Sequence, residues 1–346
     1  MARRLLWGSL VLAPVTFVVR FAFDAGDVAL FALAAVSLVP LAWLIGEATE
    51  HAGEHTGPGI GGFLNASFGN APELIIALFA IGSGLPNVVR GSLTGSVVSN
   101  ILLVLGLAMF LGPDGERLDR RSLLLQLALV FAAVVAFLVP AVPALHGDPD
   151  RHSLALVTIP VAILLLGLYV ATTVRNLKRH HAAHRAEARA EAWSLSRALV
   201  ALGAATAVTA LVSEILVHSL DGFAKAAGLS EFFIAAVIVA IVGNAAEHGG
   251  AIVIALRGKM ELASEIAISS SAQVAVFLVP AVALLSFAVT PALPLSFRPI
   301  ELAGMGGAAA FVGFVVRDGR SRRWEGALLI AVYAAFVVWI YLAGDR

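Results

Sequence analysis

The chain has no cysteine among its 346 residues, which excludes disulfide bonds, thiolate metal sites and cysteine nucleophiles. Charged residues are scarce at 13%, whereas a soluble globular protein carries about 25%. Acidic and basic residues balance to a formal net charge of zero, so no strong field favours nucleic acid. In contrast, 60% of the residues are hydrophobic and the mean hydropathy is +0.93, which favours the lipid bilayer as the solvent.

Eleven apolar runs predict an all-α integral membrane protein. Each run is long enough to cross a bilayer, which takes about 20 mainly apolar residues. The predicted spans lie near residues 5–22, 28–52, 59–83, 88–112, 121–143, 153–174, 196–220, 231–256, 262–288, 298–316 and 325–343. The first run resembles a signal peptide but lacks a small-residue cleavage site, so we predict an extra N-terminal transmembrane helix over residues 1–24.

The basic residues predict the orientation. Eleven spans place most of the 23 Lys and Arg residues at the N-terminus and in the loops 113–121, 175–197, 257–261 and 317–324, all on one side. The other side holds only Arg20, Arg90, Arg151, Lys225, Arg298 and Arg346. Because basic loops stay in the cytoplasm, we predict a cytoplasmic N-terminus and an external C-terminus. The Ala- and Arg-rich, Lys-poor composition is typical of bacteria and suggests the inner (cell) membrane.

One long charged segment, 175–197, is predicted to be a cytoplasmic linker between two halves of the chain. It is basic and contains His180, His181 and His184. Its composition is compatible with a solvated helix and with a pH-sensing or metal-sensing lid.

An internal repeat relates the two sides of this linker. Gly69-Asn70-Ala71-Pro72-Glu73 in the third span corresponds to Gly243-Asn244-Ala245-Ala246-Glu247 in the eighth, 174 residues later. Each motif is followed by a polar cluster in the next span. The repeat predicts two five-helix units, 25–174 and 198–346, and because five is odd the second copy is inverted. Secondary transporters are often built this way, with a site at the repeat interface near the bilayer midplane.

Glu73 and Glu247 are the candidate ion-binding carboxylates. A carboxylate at the bilayer centre costs from roughly 3 to more than 10 kcal/mol, so it is rare without a functional reason. A protonated glutamate that merely hydrogen-bonds a neighbouring helix is the alternative. Two acidic residues at matching repeat positions favour function.

The neighbouring residues predict an oxygen-lined site for a divalent cation. Ca²⁺ takes roughly six to eight oxygens from carboxylates, amides, backbone carbonyls and water. Besides the two glutamates, the predicted ligands are Asn70, Asn244, Asn100, Gln273, Ser99 and Ser269. Pro72 and the motif glycines are expected to break the helices and free carbonyls. For the serines, helix packing is the alternative.

Charge balance predicts how such a site is coupled. Two carboxylates balance one divalent cation, and after it leaves, two close carboxylates in a low dielectric favour protonation. The site then holds either the cation or about two protons, but not both. This mutual exclusion couples the two fluxes in opposite directions, which is antiport. The sequence has no phosphate-binding loop as another energy source. We therefore predict a transporter rather than an enzyme, with no cofactor and with Ca²⁺, H⁺ and the lipid bilayer as its partners.

Further acidic and histidine residues accompany this site. Glu47, Glu214 and His248 are predicted to line a proton or cation path, with interfacial charge or histidine packing as the alternative. We interpret three other acidic residues near predicted span ends as interfacial: Glu261, Glu265 and Glu301.

His51-Ala52-Gly53-Glu54-His55 fits the H-x-x-E-H pattern of a zinc peptidase. Such a site needs a helix and a third ligand. Gly53 and the following Gly57-Pro58-Gly59 predict a helix end here, which disfavours a membrane peptidase.

At these motifs the sequence resembles the Ca²⁺/H⁺ antiporter family, the cation/proton exchanger branch of the Ca²⁺/cation antiporter superfamily. Residues 69–75, 95–102, 243–248 and 269–275 carry the resemblance, which extends over nearly the whole chain. It implies that Glu73 and Glu247 bind the transported cation, helped by polar groups of the adjacent helices. Sodium-coupled relatives usually have Gly-Thr-Ser-type sequences before their acidic residues. The Gly-Asn-Ala sequences found here favour the proton over Na⁺ as the coupling ion. A Na⁺- or K⁺-coupled exchanger of the same fold is the alternative, and a membrane enzyme or channel is a more distant one.

Overall fold

The computed structural model describes residues 2–23, 25–180, 193–289 and 292–343. Within these ranges the chain is helical and forms no strand, only an isolated bridge between Arg117 and Arg320. The helices are α1 (Ala2–Ser9), α2 (Leu12–Ala22), α3 (Asp27–Gly69), α4 (Ala71–Gly82), α5 (Pro86–Leu111), α6 (Arg120–Ala144), α7 (His152–His180), α8 (Leu195–Ala227), α9 (Glu231–Gly243), α10 (Ala245–Leu256), α11 (Met260–Ala288), α12 (Pro299–Asp318) and α13 (Arg323–Ala343).

The prediction of a helical membrane protein with many spans is confirmed. Among the described residues, nine helical stretches are long and apolar enough to cross a bilayer. The pair α9 and α10, bent by 60° at Asn244, would together make a tenth. The predicted span 59–83 is divided between the end of α3 and the 12-residue α4. The count of eleven stays a prediction.

The predicted helix end near Gly53 and residues 57–59 is wrong. The helix α3 runs through this region as one element of 43 residues and stops only at Gly69. In lipid a backbone must satisfy its own hydrogen bonds, and neighbouring groups let membrane helices tolerate Gly and Pro. The local preference of these residues for a turn is therefore overridden.

The chain forms two compact units, and each contains residues from both sides of the linker. Unit 1 comprises Met1–Phe79, Gly167–Ala227 and Val242–Ala246. Its core lies where α3 packs along α8, with Phe31 stacked on Phe223 at 4.3 Å between ring centroids. The N-terminal α2 joins α3 through the buried hydroxyls of Thr16 and Ser37, 2.8 Å apart. The predicted boundaries of the two repeats stay a prediction.

Unit 2 comprises Ala80–Leu166, Gly228–Ile241 and Glu247–Arg346. Helix α5 is central to it and contacts α9, α11, α12 and α13. It approaches α9 so closely that a Cβ atom on Gly95 would overlap the backbone carbonyl of Ala236. Small residues permit such close packing of membrane helices.

Loops of unit 2 that were predicted to lie on the same side of the membrane contact each other. Beyond the end of α5, Gly115 N donates to Ser321 O at 2.7 Å, which joins the loop 112–119 to the loop before α13. Near the start of α5, Arg90 pairs with Asp150 at 2.7 Å and donates to Ser296 at 3.2 Å. The linker histidines His181 and His184 lie outside the described residues.

Candidate ion-binding site

Both sequence motifs break a helix at their asparagine. One helix ends and the next begins on either side of Asn70, and the same happens at Asn244. Both asparagines are buried, with exposed fractions of 4% and 0%. Ala246 stands where the first motif has Pro72, so the glycine–asparagine pair, rather than proline, is common to the two breaks.

Each break places one glutamate at the start of a helix. Glu73 lies in the first turn of α4, and Glu247 lies in the first turn of α10. The first N–H groups of a helix lack intrahelical acceptors, and the helix dipole stabilises a nearby carboxylate there by about 0.3–1 kcal/mol. The helices that end just before the breaks have carbonyls without intrahelical partners, and these favour a cation.

Within unit 1, the glutamate of the first motif packs against the glycine of the second. Glu73 is 6% exposed. A Cβ atom on Gly243 would lie 2.9 Å from Cγ of Glu73, which is closer than real Cβ contacts come. Glycine at this position therefore leaves the room that the Glu73 side chain occupies, beside Asn244.

Within unit 2, Glu247 and His248 begin α10 with buried polar atoms. Oε2 of Glu247 and Nε2 of His248 have no hydrogen-bond partner among the described residues. Burying a polar atom without a partner costs free energy, so such atoms are expected to bind an ion, a proton or water. This arrangement is compatible with the predicted roles of both residues.

The predicted amide and hydroxyl ligands of unit 2 lie on α5 and α11. Ser99 and Asn100 are fully buried, whereas Ser269 and Gln273 are partly exposed. The hydroxyls of Ser99 and Ser269 donate to carbonyls of their own helices, at 3.4 Å and 3.2 Å. Their hydroxyl hydrogens are used in these bonds within the helix, whereas their oxygens still carry lone pairs that can bind a cation.

The two helices meet beside these polar clusters. Ser271 Oγ donates a hydrogen bond to the backbone carbonyl of Val97 at 2.9 Å. Unit 2 contains the predicted ligands of α5, α11 and α10, which are Ser99, Asn100, Ser269, Gln273 and Glu247, and unit 1 contains Glu73, Asn70 and Asn244.

Sequence reasoning missed the π-helical turns next to these clusters. One turn covers Ser99–Val104 in α5, a second covers Val274–Leu278 in α11, and a third covers Ala235–Val239 in α9. A π turn leaves the regular α-helical hydrogen-bond pattern and is frequent at functional sites. Apolar membrane sequences contain no residue signal for such turns, because every residue in them is also compatible with an α-helix.

The two predicted path glutamates have different surroundings within unit 1. Glu47 is half-buried on α3, where its Oε1 lies 3.7 Å from Nε2 of His51. Glu214 is exposed on α8 and lines a groove of about 280 Å³. The other residues lining this groove are Phe17, Arg20, Phe21, Leu211, Ile215 and His218.

The histidines of the H-x-x-E-H pattern contact Trp193 instead. The His51 ring stacks on Trp193 at 4.8 Å between centroids, and His55 Nε2 donates to the Trp193 carbonyl at 2.6 Å. No group of three His, Cys, Asp or Glu in the described part of the chain could hold a metal ion.

A helical membrane protein with two broken helices, each followed by a glutamate in the first turn of the next helix, has the architecture of a secondary transporter. Comparison with known proteins narrows this class. The sequence profile of the sodium/calcium exchanger protein family matches residues 27–178 and 197–342, and the chain belongs to this family. The resemblance found in the motifs is thereby confirmed.

Individual relatives cover nearly the full chain. The Ca²⁺/H⁺ antiporter ChaA of Bacillus subtilis is 41% identical over 90% of this chain and 92% of its own. The structure of native YfkE superposes with a TM-score of 0.83 at 36% identity, covering 97% of this chain and 99% of that one. The H⁺/Ca²⁺ exchanger CAX, at 19% identity and a TM-score of 0.76 over 98% of this chain and 88% of that one, shares the fold.

Proposed function

We propose that this protein is a secondary active antiporter that exchanges cytosolic Ca²⁺, or another divalent cation, for external protons by alternating access. One observation carries the proposal: Glu73 and Glu247 each follow a helix break at a Gly-Asn-Ala motif, in a chain of the sodium/calcium exchanger protein family. A relative that is 41% identical is itself named a Ca²⁺/H⁺ antiporter.

The proposed coupling follows from charge. Two carboxylates at helix starts neutralise one divalent cation, which the site binds as cargo and not as a resident cofactor. When the cation leaves, the carboxylates repel each other in a low dielectric and take up protons. The empty, charged site is then the costly state, so the protein changes sides with either cation or protons bound.

The remaining predicted residues supply oxygens or a path in this proposal. The proposed ligands beyond the two glutamates are Asn70, Asn244, Asn100, Gln273, Ser99 and Ser269. Glu47, Glu214 and His248 are proposed to connect the site with the two faces of the membrane. The exposed position of Glu214 in a groove with Arg20 supports a place near one face.

We infer that the chain is an inverted repeat of two five-helix units after one extra helix. The helix breaks at Asn70 and Asn244 are 174 residues apart, and the π turns that start at Ser99 and Val274 are separated by one residue more. The family profile also matches each side of the linker separately. These three correspondences support the repeat.

The proposed location is the inner (cell) membrane, with a cytoplasmic N-terminus and an external C-terminus. The basic loops 112–119 and 319–322, joined through Gly115 and Ser321, would then face the cytoplasm. The ion pair of Arg90 and Asp150 would lie at the external end of unit 2.

An uptake assay in proteoliposomes tests the function. Purified protein is reconstituted, a pH gradient is imposed, and Ca²⁺ uptake and proton efflux are recorded together. Uptake that depends on the pH gradient and dissipates it is the expected result. If uptake instead requires a Na⁺ or K⁺ gradient, the coupling ion is that ion and not the proton. A Ca²⁺ current without counter-transport would indicate a channel.

A further inference from the structure

Helix α11 has a partly exposed stripe of polar residues. Between residues 265 and 273, the polar residues Glu265, Ser269 and Gln273 are partly exposed, as is the apolar Ile266, whereas Ala267, Ile268 and residues 270–272 are buried. Side chains four residues apart lie on the same face of a helix, about 6 Å apart along its axis. The stripe therefore leads from near the start of α11 to the predicted ligand Gln273, about 12 Å farther along.

The corresponding helix of the first half has no such stripe. Every residue of α5 from Val88 to Leu102 is buried. The position 174 residues before Glu265 is Gly91, where a Cβ atom would lie 2.8 Å from the carbonyl oxygen of Phe232. In the first half, the packing of α5 against Phe232 leaves no room for a side chain at this position. Of the two helices, only α11 therefore has an acidic side chain and a partly exposed stripe here.

A neutral amide from α6 holds Glu265. Gln126 Nε2 donates to Glu265 Oε2 at 2.5 Å and also lies 3.1 Å from the Ser122 hydroxyl. Gln126 is the one polar residue of α6 after Ser122, and its Oε1 is buried without a hydrogen-bond partner among the described residues. Polar groups inside a membrane are costly and face partners or a water-filled path rather than lipid.

The side chain that holds Glu265 is neutral. In the described ranges Glu265 forms no ion pair with Lys, Arg or His, and Gln126 orients its carboxylate without neutralising it. A carboxylate with few other ligands binds a divalent cation weakly, which suits a place from which the cation must move on.

We propose that Glu265 is a recruitment site for the divalent cation, at the mouth of a path formed by Ser269 and Gln273. The inference rests on the proposed antiport and adds one more acidic residue to the four that it already uses. The carboxylate concentrates the cation near the start of α11, next to the loop 257–261, and the hydroxyl and amide oxygens then receive it. Gln126 is a positioning residue, because it acts through Glu265.

The test measures how the initial rate depends on Ca²⁺ concentration in everted and in right-side-out membrane vesicles. Glu265→Gln keeps the size and the amide contact but removes the charge. We expect its KM for Ca²⁺ to rise about tenfold on the side of the membrane where α11 begins. The reason is the loss of one negative charge at a place where the effective dielectric constant lies between those of water and the protein interior. The maximal rate should stay within about twofold, since the central site is intact.

Two further variants serve as controls. Glu265→Asp keeps the charge and should restore most of the wild-type KM. Glu261→Gln removes an exposed charge one turn earlier on the same helix and should leave KM unchanged. A KM rise on one side only, rescued by aspartate and absent from the Glu261 variant, supports recruitment by Glu265.

Other results overturn the inference. An unchanged KM in Glu265→Gln, an equal rise in Glu261→Gln, or a fall in maximal rate at constant KM would each show that Glu265 is a surface charge or a structural hydrogen-bond partner. Wild-type vesicles assayed in parallel separate this failure from failure of the proposed function, because only the latter removes pH-driven Ca²⁺ uptake from the wild type itself.

Discussion

The hydroxyl of Ser271 donates a hydrogen bond to the carbonyl of Val97 over 2.9 Å, and 174 positions separate the two residues. The same interval separates Glu73 from Glu247. In a protein with two-fold pseudo-symmetry, equivalent residues can touch only near the symmetry axis. Under the proposed inverted repeat, this hydrogen bond therefore locates the axis at the contact of α5 with α11, beside the clusters that contain Asn100 and Gln273.

Replacing either motif glutamate by glutamine should stop exchange. Glu73→Gln and Glu247→Gln each leave one carboxylate for a doubly charged ion, and removing one partner of a buried charge pair costs about 3–5 kcal/mol. We expect the initial rate of Ca²⁺ uptake in proteoliposomes to fall at least about a hundredfold, since 1.4 kcal/mol corresponds to a factor of ten.

Glu116→Gln, in an exposed loop, is the control and should transport like the wild type. Both motif variants should unfold thermally at or above the wild-type temperature, because they remove a buried charge. More than a tenth of the wild-type rate in either motif variant would contradict the assigned roles.

Gly243→Ala should weaken Ca²⁺ binding by displacing Glu73. The added methyl group would lie 2.9 Å from Cγ of Glu73, so that side chain must shift. Overpacking of this kind costs about 1–3 kcal/mol, and a displaced ligand lowers the affinity for the cation. We expect a Ca²⁺ KM raised about tenfold or more, measured in the same uptake assay.

Gly203→Ala on α8 is the matched control, since a Cβ atom there meets nothing within 4 Å. Equal kinetics for the two alanine variants would refute the close contact between Glu73 and Gly243.

Much of the architecture could be predicted from the sequence, because lipid permits few solutions. Long apolar runs must be helices, and charge bias grouped the loops so that Gly115 and Ser321 were expected on one side. The structure joins these two loops by a hydrogen bond of 2.7 Å. The broken helices were expected from Pro72 and the motif glycines, and they are found at Asn70 and Asn244.

The parts that could not be predicted depend on tertiary packing. Gly53 and Pro58 favour a turn locally, yet α3 continues through them, because an unbroken hydrogen-bond ladder is cheaper in lipid. The contact of Gly243 with Glu73 joins residues 170 positions apart, and a single sequence has no signal for such a contact. The stripe through Glu265 was likewise missed, since burial of its neighbours is a property of the fold and not of the residues.

Gly95→Ala should destabilise unit 2. A Cβ atom at this position would overlap the backbone of Ala236, and backbone atoms cannot rotate away as a side chain can. We expect the free energy of unfolding to fall by about 3 kcal/mol, the upper end for overpacking, or more. The effect is measured by heating the protein in detergent and recording the fraction that remains monodisperse at each temperature.

Gly307→Ala on α12 is the comparison, because a Cβ atom there meets nothing within 4 Å. Its unfolding temperature should equal that of the wild type. Equal unfolding temperatures for the two alanine variants would contradict the close packing of α5 on α9.

Single cysteines should reveal the orientation, because the natural chain has no thiol that would react in the background. Glu116 and His146 are both exposed, beyond the end of α5 and beyond the end of α6, respectively. With the basic loops in the cytoplasm, a membrane-impermeant maleimide added to intact cells should label His146→Cys and spare Glu116→Cys. Permeabilised cells should show labelling of both, which checks that each thiol is reactive. The opposite pattern in intact cells would reverse the proposed orientation, and labelling of both from outside would contradict the placement of these loops on opposite sides of the membrane.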